Sequence, residues 1–270
     1  MSIEQCRLSG VIAVLGLGEA GSLIARDLAA AGATVRGYDP AVPVLPPGLD
    51  AAITGTGSEA EAADGADLVL SVNSSKAAVA ALRAGLPGMR PGAAWADLNS
   101  ASPGVKAELA AIGRAAGVDV TDIAMMAPVP GKGIRVPMLA SGDGAQRVAR
   151  QLRSLGGEVE VLDGPVGLAA TRKLLRSVFY KSMSTAIVEA LEAARAAGDE
   201  DWLREHIAGE LDRLDAATVD RAVTGTRRHA VRRGAEMEAA SAMLTELGVA
   251  PLMTEASRAV HQRLAADREL

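Results

Sequence analysis

Residues 11–15, Val-Ile-Ala-Val-Leu, form an uninterrupted apolar run that ends on Gly16-Leu17-Gly18-Glu19-Ala20-Gly21. A run with no polar alternation marks a strand buried on both faces. Residues 19–32 then carry apolar side chains at helical spacing, Leu23, Ile24, Ala25, Leu28 and Ala29, and stop at Gly32. A second strand over residues 34–38 ends at Asp39, 18 residues after Gly21. The spacing G-x-G-x-x-G is weak alone. Placed between a buried strand and the start of a helix, it specifies a dinucleotide-binding turn. Gly16 permits the tight turn, Gly18 lets the backbone approach a pyrophosphate, and Gly21 lets the helix pack on the strand. Leu17, Glu19 and Ala20 complete the turn, and the helix N-terminus offers free N–H groups and a positive dipole end to the anion. Asp39 is placed to accept hydrogen bonds from ribose hydroxyls and to repel a 2′-phosphate. Pro40 and Ala41 follow it, with no Arg, which favours NAD over NADP without excluding NADP.

The alternation continues. Apolar runs at residues 68–72 and 94–98 read as buried strands, with weaker ones at 118–123, 137–140 and 158–162. Helical patterns fall near 75–86 and 143–155, and Ser102-Pro103 starts another helix with Pro in its first turn. Strands alternating with helices predict a doubly wound, mainly parallel sheet, an α/β Rossmann domain. After Gly164-Pro165 the pattern changes. Residues 167–198 contain no turn residue before Gly198, enough for a helix of roughly 48 Å. Later segments, 201–214, 216–223, 228–247 and 254–266, all read as helical. The expected organisation is a nucleotide-binding domain over residues 1–165 and an all-α domain over 166–270.

Composition narrows the function classes. The net charge is −5, and no basic stripe dominates the chain, which argues against a nucleic-acid partner. No stretch of 18 apolar residues exists, so no membrane span is expected, and residues 1–10 lack the apolar centre of a signal peptide. Cys6 is the only cysteine, which excludes an intrachain disulfide and suits a reducing cytoplasm. No His/Asp/Glu set has metal-ligand spacing, and no G-x-S-x-G elbow points to a hydrolase.

With GLGEAGSLIARDL in place, the chain resembles the β-hydroxyacid dehydrogenase family, which includes 3-hydroxyisobutyrate and 6-phosphogluconate dehydrogenases. The family pattern GLGxMGxxxAxxL has Ala20 in place of its Met. Asp97-Leu98-Asn99-Ser100-Ala101-Ser102-Pro103 resembles the D-x-S-T-x-x-P segment beside the nicotinamide. Ala127-Pro128-Val129-Pro130-Gly131-Lys132 resembles the substrate loop A-P-V-S-G-G. Gly167 followed by Lys173 resembles the segment that presents the catalytic lysine. Ser177 stands where the family has Asn, Pro130 where it has Ser, and Lys132 where it has a second Gly. The likeness spans residues 10 to about 195, and the remainder looks like the short helical domain of a phosphogluconate-dehydrogenase-like subgroup.

The resemblance implies hydride transfer between a nicotinamide and a small 3-hydroxy acid, with Lys173 as general acid/base. Spacing is consistent with this: Lys173, Ser177, Tyr180 and Ser184 fall within about 60° of arc on one helix face. Leu175, Phe179, Met183, Ala186 and Ala190 lie opposite and are expected to form a core stripe. Burial beside Arg172 and Arg176 would disfavour the Lys173 ammonium. Ser177 can replace the family Asn as a substrate contact, or be an ordinary helix serine. Gly131 leaves space for a substrate carboxylate, and Lys132 either pairs with it or is solvated. Asn99, with Ser100, follows a strand end and is placed for the nicotinamide or substrate, while Asn73 and Ser74 are placed for the cofactor ribose. Arg228 and Arg232, an i,i+4 pair, read either as anion contacts or as surface pairs with Glu236 and Glu238, and His229 as structural.

Two rival readings remain. One is imine or pyrroline-carboxylate-type reduction on the same fold; the resemblance places Asp or Tyr at the lysine position of imine reductases, so Lys173 argues against that. The other is a protein that binds NAD and turns nothing over. The small-residue helical domain is expected to form a homodimer.

Overall fold

The computed structural model describes residues 10–267, so Cys6 and the first nine residues of the segment read for a signal peptide lie outside the described residues. The sheet half runs in chain order β1 (Val11–Leu15), α1 (Glu19–Ala30), β2 (Thr34–Tyr38), β3 (Thr54–Gly55), α2 (Glu59–Ala63), β4 (Leu68–Ser71), α3 (Ala78–Gly85) and β5 (Ala94–Asp97). It continues with α4 (Pro103–Ala115), β6 (Asp119–Met125), β7 (Met138–Ser141), α5 (Ala145–Ser154) and β8 (Val159–Val161). The eight strands form one sheet in the order β3-β2-β1-β4-β5-β6-β7-β8. All pairs are parallel except β6 with β7. The strand order reverses between β1 and β4, the switch point at which open α/β sheets bind ligands.

The apolar runs explain the layering. Along β1, Ile12 and Val14 enter one core with Ile24 and Leu28 of α1 and Val148 and Leu152 of α5. Ala13 and Leu15 enter the opposite core with Leu82 of α3, Trp95 of β5 and Leu109 of α4. Both faces of the central strands are therefore covered, and a polar residue on them would have to be partnered. Ser102 caps α4, its Oγ accepting from the Val105 amide, and Pro103 occupies the first turn.

The second half is helical: α6 (Leu168–Ala197), α7 (Glu200–Asp212), α8 (Ala216–Arg228), α9 (Ala230–Glu246) and α10 (Leu252–Ala266). The chain divides into two compact units, one ending at Leu175 and one beginning at Arg176, so the first turns of α6 belong with the sheet. Among the described residues no helix is long and apolar enough to cross a membrane. Two elements escape the sequence reading, β3 and α2. Thr54–Gly55 is too short to show a period, and α2 is a single Ala- and Glu-rich turn and a half, capped by Ser58.

Candidate nucleotide and lysine site

The glycine loop sits between β1 and α1 with each glycine in a distinct setting. Gly16 has φ +102°, and a Cβ there would lie 2.4 Å from the Val72 carbonyl oxygen. A Cβ on Gly21 would lie 1.9 Å from the Gly16 carbonyl oxygen. A Cβ on Gly18 would meet nothing within 4 Å. The loop is thus closed against the protein at Gly16 and Gly21 and open at Gly18. Gly18 is also the residue before α1, and no side chain caps that N-terminus. An open backbone beside an uncapped dipole end fits a pyrophosphate. Leu17 is buried, whereas Glu19 is exposed and Ala20 half-buried.

Asp39 closes the far side. Its Oδ2 accepts from the Leu17 amide at 2.7 Å and its Oδ1 from the Ala41 amide at 2.8 Å. The carboxylate is thereby fixed relative to the loop, and each oxygen keeps a second acceptor site. Asn73 and Ser74 follow the β4 end, where the Val72–Asn73 peptide abuts Gly16. Both are exposed; Asn73 Oδ1 accepts from the Ser74 amide, and Ser74 Oγ accepts from the Ala77 amide.

Lys173, on the second turn of α6, donates from Nζ to Ser100 Oγ at 2.7 Å. Lys173 is half-buried, while Arg172 and Arg176 are exposed. Ser100 lies three residues beyond β5, so the lysine stands over the carboxyl end of the sheet, the side on which the glycine loop lies. Asn99 is buried, and its amide hydrogens go to Asp97 Oδ2 at 2.7 Å and Ser71 Oγ at 3.0 Å.

Those partners belong to a feature that sequence reasoning misses. Ser71, Asp97, Asp122 and Ser141 are register neighbours across β4, β5, β6 and β7, and all four are fully buried. Lys106 of α4, 1% exposed, bridges the two carboxylates, with Nζ 2.5 Å from Asp97 Oδ1 and 2.9 Å from Asp122 Oδ1. It also donates to the Asp97 carbonyl at 2.8 Å. On the far side, Asp122 Oδ2 accepts from the Gly167 amide at 3.1 Å and the Ala170 amide at 2.8 Å. Ser141 Oγ accepts from the Ala169 amide at 3.1 Å. The signal available in the sequence is a polar residue inside or just after an apolar run: Ser71, Asp97 and Ser141, with Asp122 in the weaker run at 118–123.

The loop expected to meet substrate follows β6. Gly131 is exposed with φ +78°, a conformation that suits glycine, and Lys132 is exposed beside it. Asp27 of α1 anchors the turn that follows, its Oδ2 accepting from the Ile134 amide at 2.8 Å. A Cβ on Gly133 would lie 1.7 Å from that same oxygen, so the anchor needs glycine there.

In the second unit, one expectation is overturned. The apolar face of α6 is not a core stripe: Phe179 is 66% exposed, and Leu175 in the first unit is 65% exposed. The face from Phe179 through Met183, Ala186 and Ala190 lines an open apolar groove with Trp202 and Met243. Ser177 is half-buried, one turn after Lys173 on α6. Arg232 pairs with Glu236 on the surface, as the plainer reading has it, whereas Glu238 pairs with Arg258. His229 is exposed at the junction of α8 and α9. Glu189 is buried and caps α10, accepting from the Met253 amide at 2.6 Å and from the Thr254 amide and hydroxyl. Burial works to raise its carboxyl pKa, but the hydrogen bonds from Thr254, Met253 and Leu252 outweigh burial and hold it below the ordinary value.

Comparison with known proteins agrees with this geometry. Residues 11–133 match the NAD binding domain of 6-phosphogluconate dehydrogenase, and residues 194–264 match a domain of unknown function, DUF1932. A conserved hypothetical protein from Sinorhizobium meliloti 1021 is 28% identical, with a TM-score of 0.63, covering 95% of this chain and 88% of its own. A conserved protein of unknown function, described as structurally similar to 3-hydroxyacid dehydrogenases, is 24% identical at TM-score 0.60, with 96% and 98% covered. An imine reductase from Myxococcus stipitatus in complex with NADP+ shares the fold at TM-score 0.82 and 17% identity, with 95% and 94% covered. No curated protein matches the chain. The chain has an NAD-binding, dehydrogenase-like fold, and it carries the 6-phosphogluconate dehydrogenase type of NAD binding domain followed by a DUF1932 domain.

Proposed function

We propose that this protein is an oxidoreductase that interconverts a small 3-hydroxy acid and its 3-oxo acid with NAD, using Lys173 as the general acid/base. The observation that carries the reading is the Lys173 ammonium held at 2.7 Å from Ser100 Oγ, over the carboxyl end of the sheet that carries the glycine loop. Bound there, the nicotinamide would supply the hydride acceptor. Gly16, Leu17, Gly18, Glu19, Ala20 and Gly21 would hold its pyrophosphate and Asp39 its adenosine ribose, with Asn73, Ser74 and Asn99 lining the adjoining strand ends. As the neutral amine, Lys173 takes the hydroxyl proton in oxidation, and as the ammonium it returns the proton in reduction, while Ser100 fixes Nζ before substrate arrives. Ser177, Gly131 and Lys132 are the substrate contacts of this reading: a hydroxyl, an open backbone and a cation for a carboxylate.

Residues 1–165 supply the cofactor site. Residues 166–270 supply the lysine and the exposed apolar face, which a second copy of the chain covers in a homodimer. Asp39 selects NAD by charge, since a 2′-phosphate would meet a fixed carboxylate. The work of such an enzyme is cytoplasmic. Initial rates with a panel of 3-hydroxy acids and NAD, for the native protein and Lys173→Ala, test the reading. Turnover that is lost in the variant while NADH still binds supports it. Turnover of cyclic imines with NADPH, unchanged in the variant, would replace it with imine reduction, the activity of a protein that shares the fold.

A further inference from the structure

Two aspartates and one lysine are fully buried in the sheet unit, and the reaction proposed above uses none of them. Burying charge costs several kcal/mol per ion unless every group is partnered, so a triad of this kind is weak evidence for stability. Its partners say where the charge is directed. Lys106 neutralises one of the two carboxylates, and a net negative charge remains. That charge faces the first turn of α6, where Asp122 takes the Gly167 and Ala170 amides and Ser141 takes the Ala169 amide. Those amides are the unsatisfied donors of a helix start, and an anion there is also favoured by the helix dipole.

The same row reaches the other partner of the lysine. Lys106 binds both the carboxylate and the carbonyl of Asp97, the last residue of β5. Asn99 ties that carboxylate to Ser71, and Ser100 is the next residue. The row therefore fixes both ends of one contact. Asp122 and Ser141 set the helix turn before Lys173, which follows Ala170 by three residues or about 4.5 Å of helix rise. Asp97 and Asn99 set the segment that carries Ser100. A free lysine side chain would sample many rotamers, and holding it needs a rigid support at both ends.

We propose that Lys106, Asp97, Asp122 and Ser141 are positioning residues that hold the start of α6 against the ends of β5 and β6, and so hold the Lys173 ammonium on Ser100. The importance of that contact rests on the reading of Lys173 as the proton carrier; the contact itself can be tested without substrate. The chain has five lysines, Lys76, Lys106, Lys132, Lys173 and Lys181, few enough for each to be followed by NMR after labelling at the ε-carbon. Lys173→Arg identifies the Lys173 signal by its loss. Ser100→Ala gives the signal of a Lys173 released from the serine.

Ser141→Ala removes one acceptor of the α6 turn without touching a charge, and Asp122→Asn removes the anion. In both, the Lys173 signal is expected to move toward its position in Ser100→Ala, further in Asp122→Asn, while Lys76, Lys132 and Lys181 stay in place. Should Asp122→Asn fail to fold, Ser141→Ala decides alone. A Lys173 signal that stays at its native position in folded Ser141→Ala, with only the melting temperature lowered, overturns the proposal. The two readings fail separately: full hydroxy-acid turnover by Lys173→Ala defeats the proton-carrier role and leaves the NMR result intact.

Discussion

In the proposed reaction Lys173, Asp39 and Gly21 each have one task that can be removed alone. Replacing Lys173 with Ala deletes the proposed proton carrier and leaves the glycine loop untouched. Turnover is expected to fall by about 10²–10⁴-fold with NADH affinity unchanged, read from initial rates and a binding titration. Asp39→Asn keeps an acceptor for the Leu17 amide and deletes the charge. It is expected to raise NADPH affinity relative to NADH by about tenfold, or ~1.4 kcal/mol, and an unchanged ratio would show that Asp39 does not discriminate. Gly21→Ala drives a Cβ into the Gly16 carbonyl at 1.9 Å, with backbone on both sides. Overpacking of this kind costs about 1–3 kcal/mol, and denaturant unfolding measures it. The positions of Gly21 and Asp39 are legible in motif spacing, and that of Lys173 in the family resemblance. The buried row is not, because Ser71, Asp97, Asp122 and Ser141 become neighbours only through strand register.

Among the elements, α10 shows how a helix start is specified from a distance. Glu189, 64 residues before Met253, supplies the cap that residues local to the helix do not. A carboxyl with its folded pKa below the ordinary 4.5 stabilises fully above that value, and the contribution is lost as pH falls through the folded pKa. Glu189→Gln is therefore expected to lower stability by about 1–3 kcal/mol near pH 7, and the gap from the native protein should narrow at about pH 4 and below. Thermal melts at both pH values measure it; a gap that widens in acid contradicts the assignment. Strands were legible wherever an apolar run was unbroken, as in β1 and β4. The face of α6 was misread because its apolar stripe has the spacing of a core stripe, and periodicity does not say what covers it.

On the scale of the whole molecule, the apolar groove and the exposed Phe179 and Trp202, 66% and 64% exposed, exceed what a solitary helical unit leaves in water. A homodimer covering this face is expected to show twice the chain mass of 27.5 kDa in sedimentation, and Phe179→Asp to shift it toward monomer. Fold class was readable from alternation and motif. The face that would meet a second copy was not, since a surface for a second copy and a core have the same composition. The proposed reaction depends on a nicotinamide dinucleotide whose pyrophosphate lies at the loop between β1 and α1. Fluorescence titration of the purified protein with NADH and with NADPH, at one ionic strength, tests this most directly. Saturable binding of both is expected, with NADH at least about tenfold tighter. Binding of neither would contradict the proposed reaction at its base.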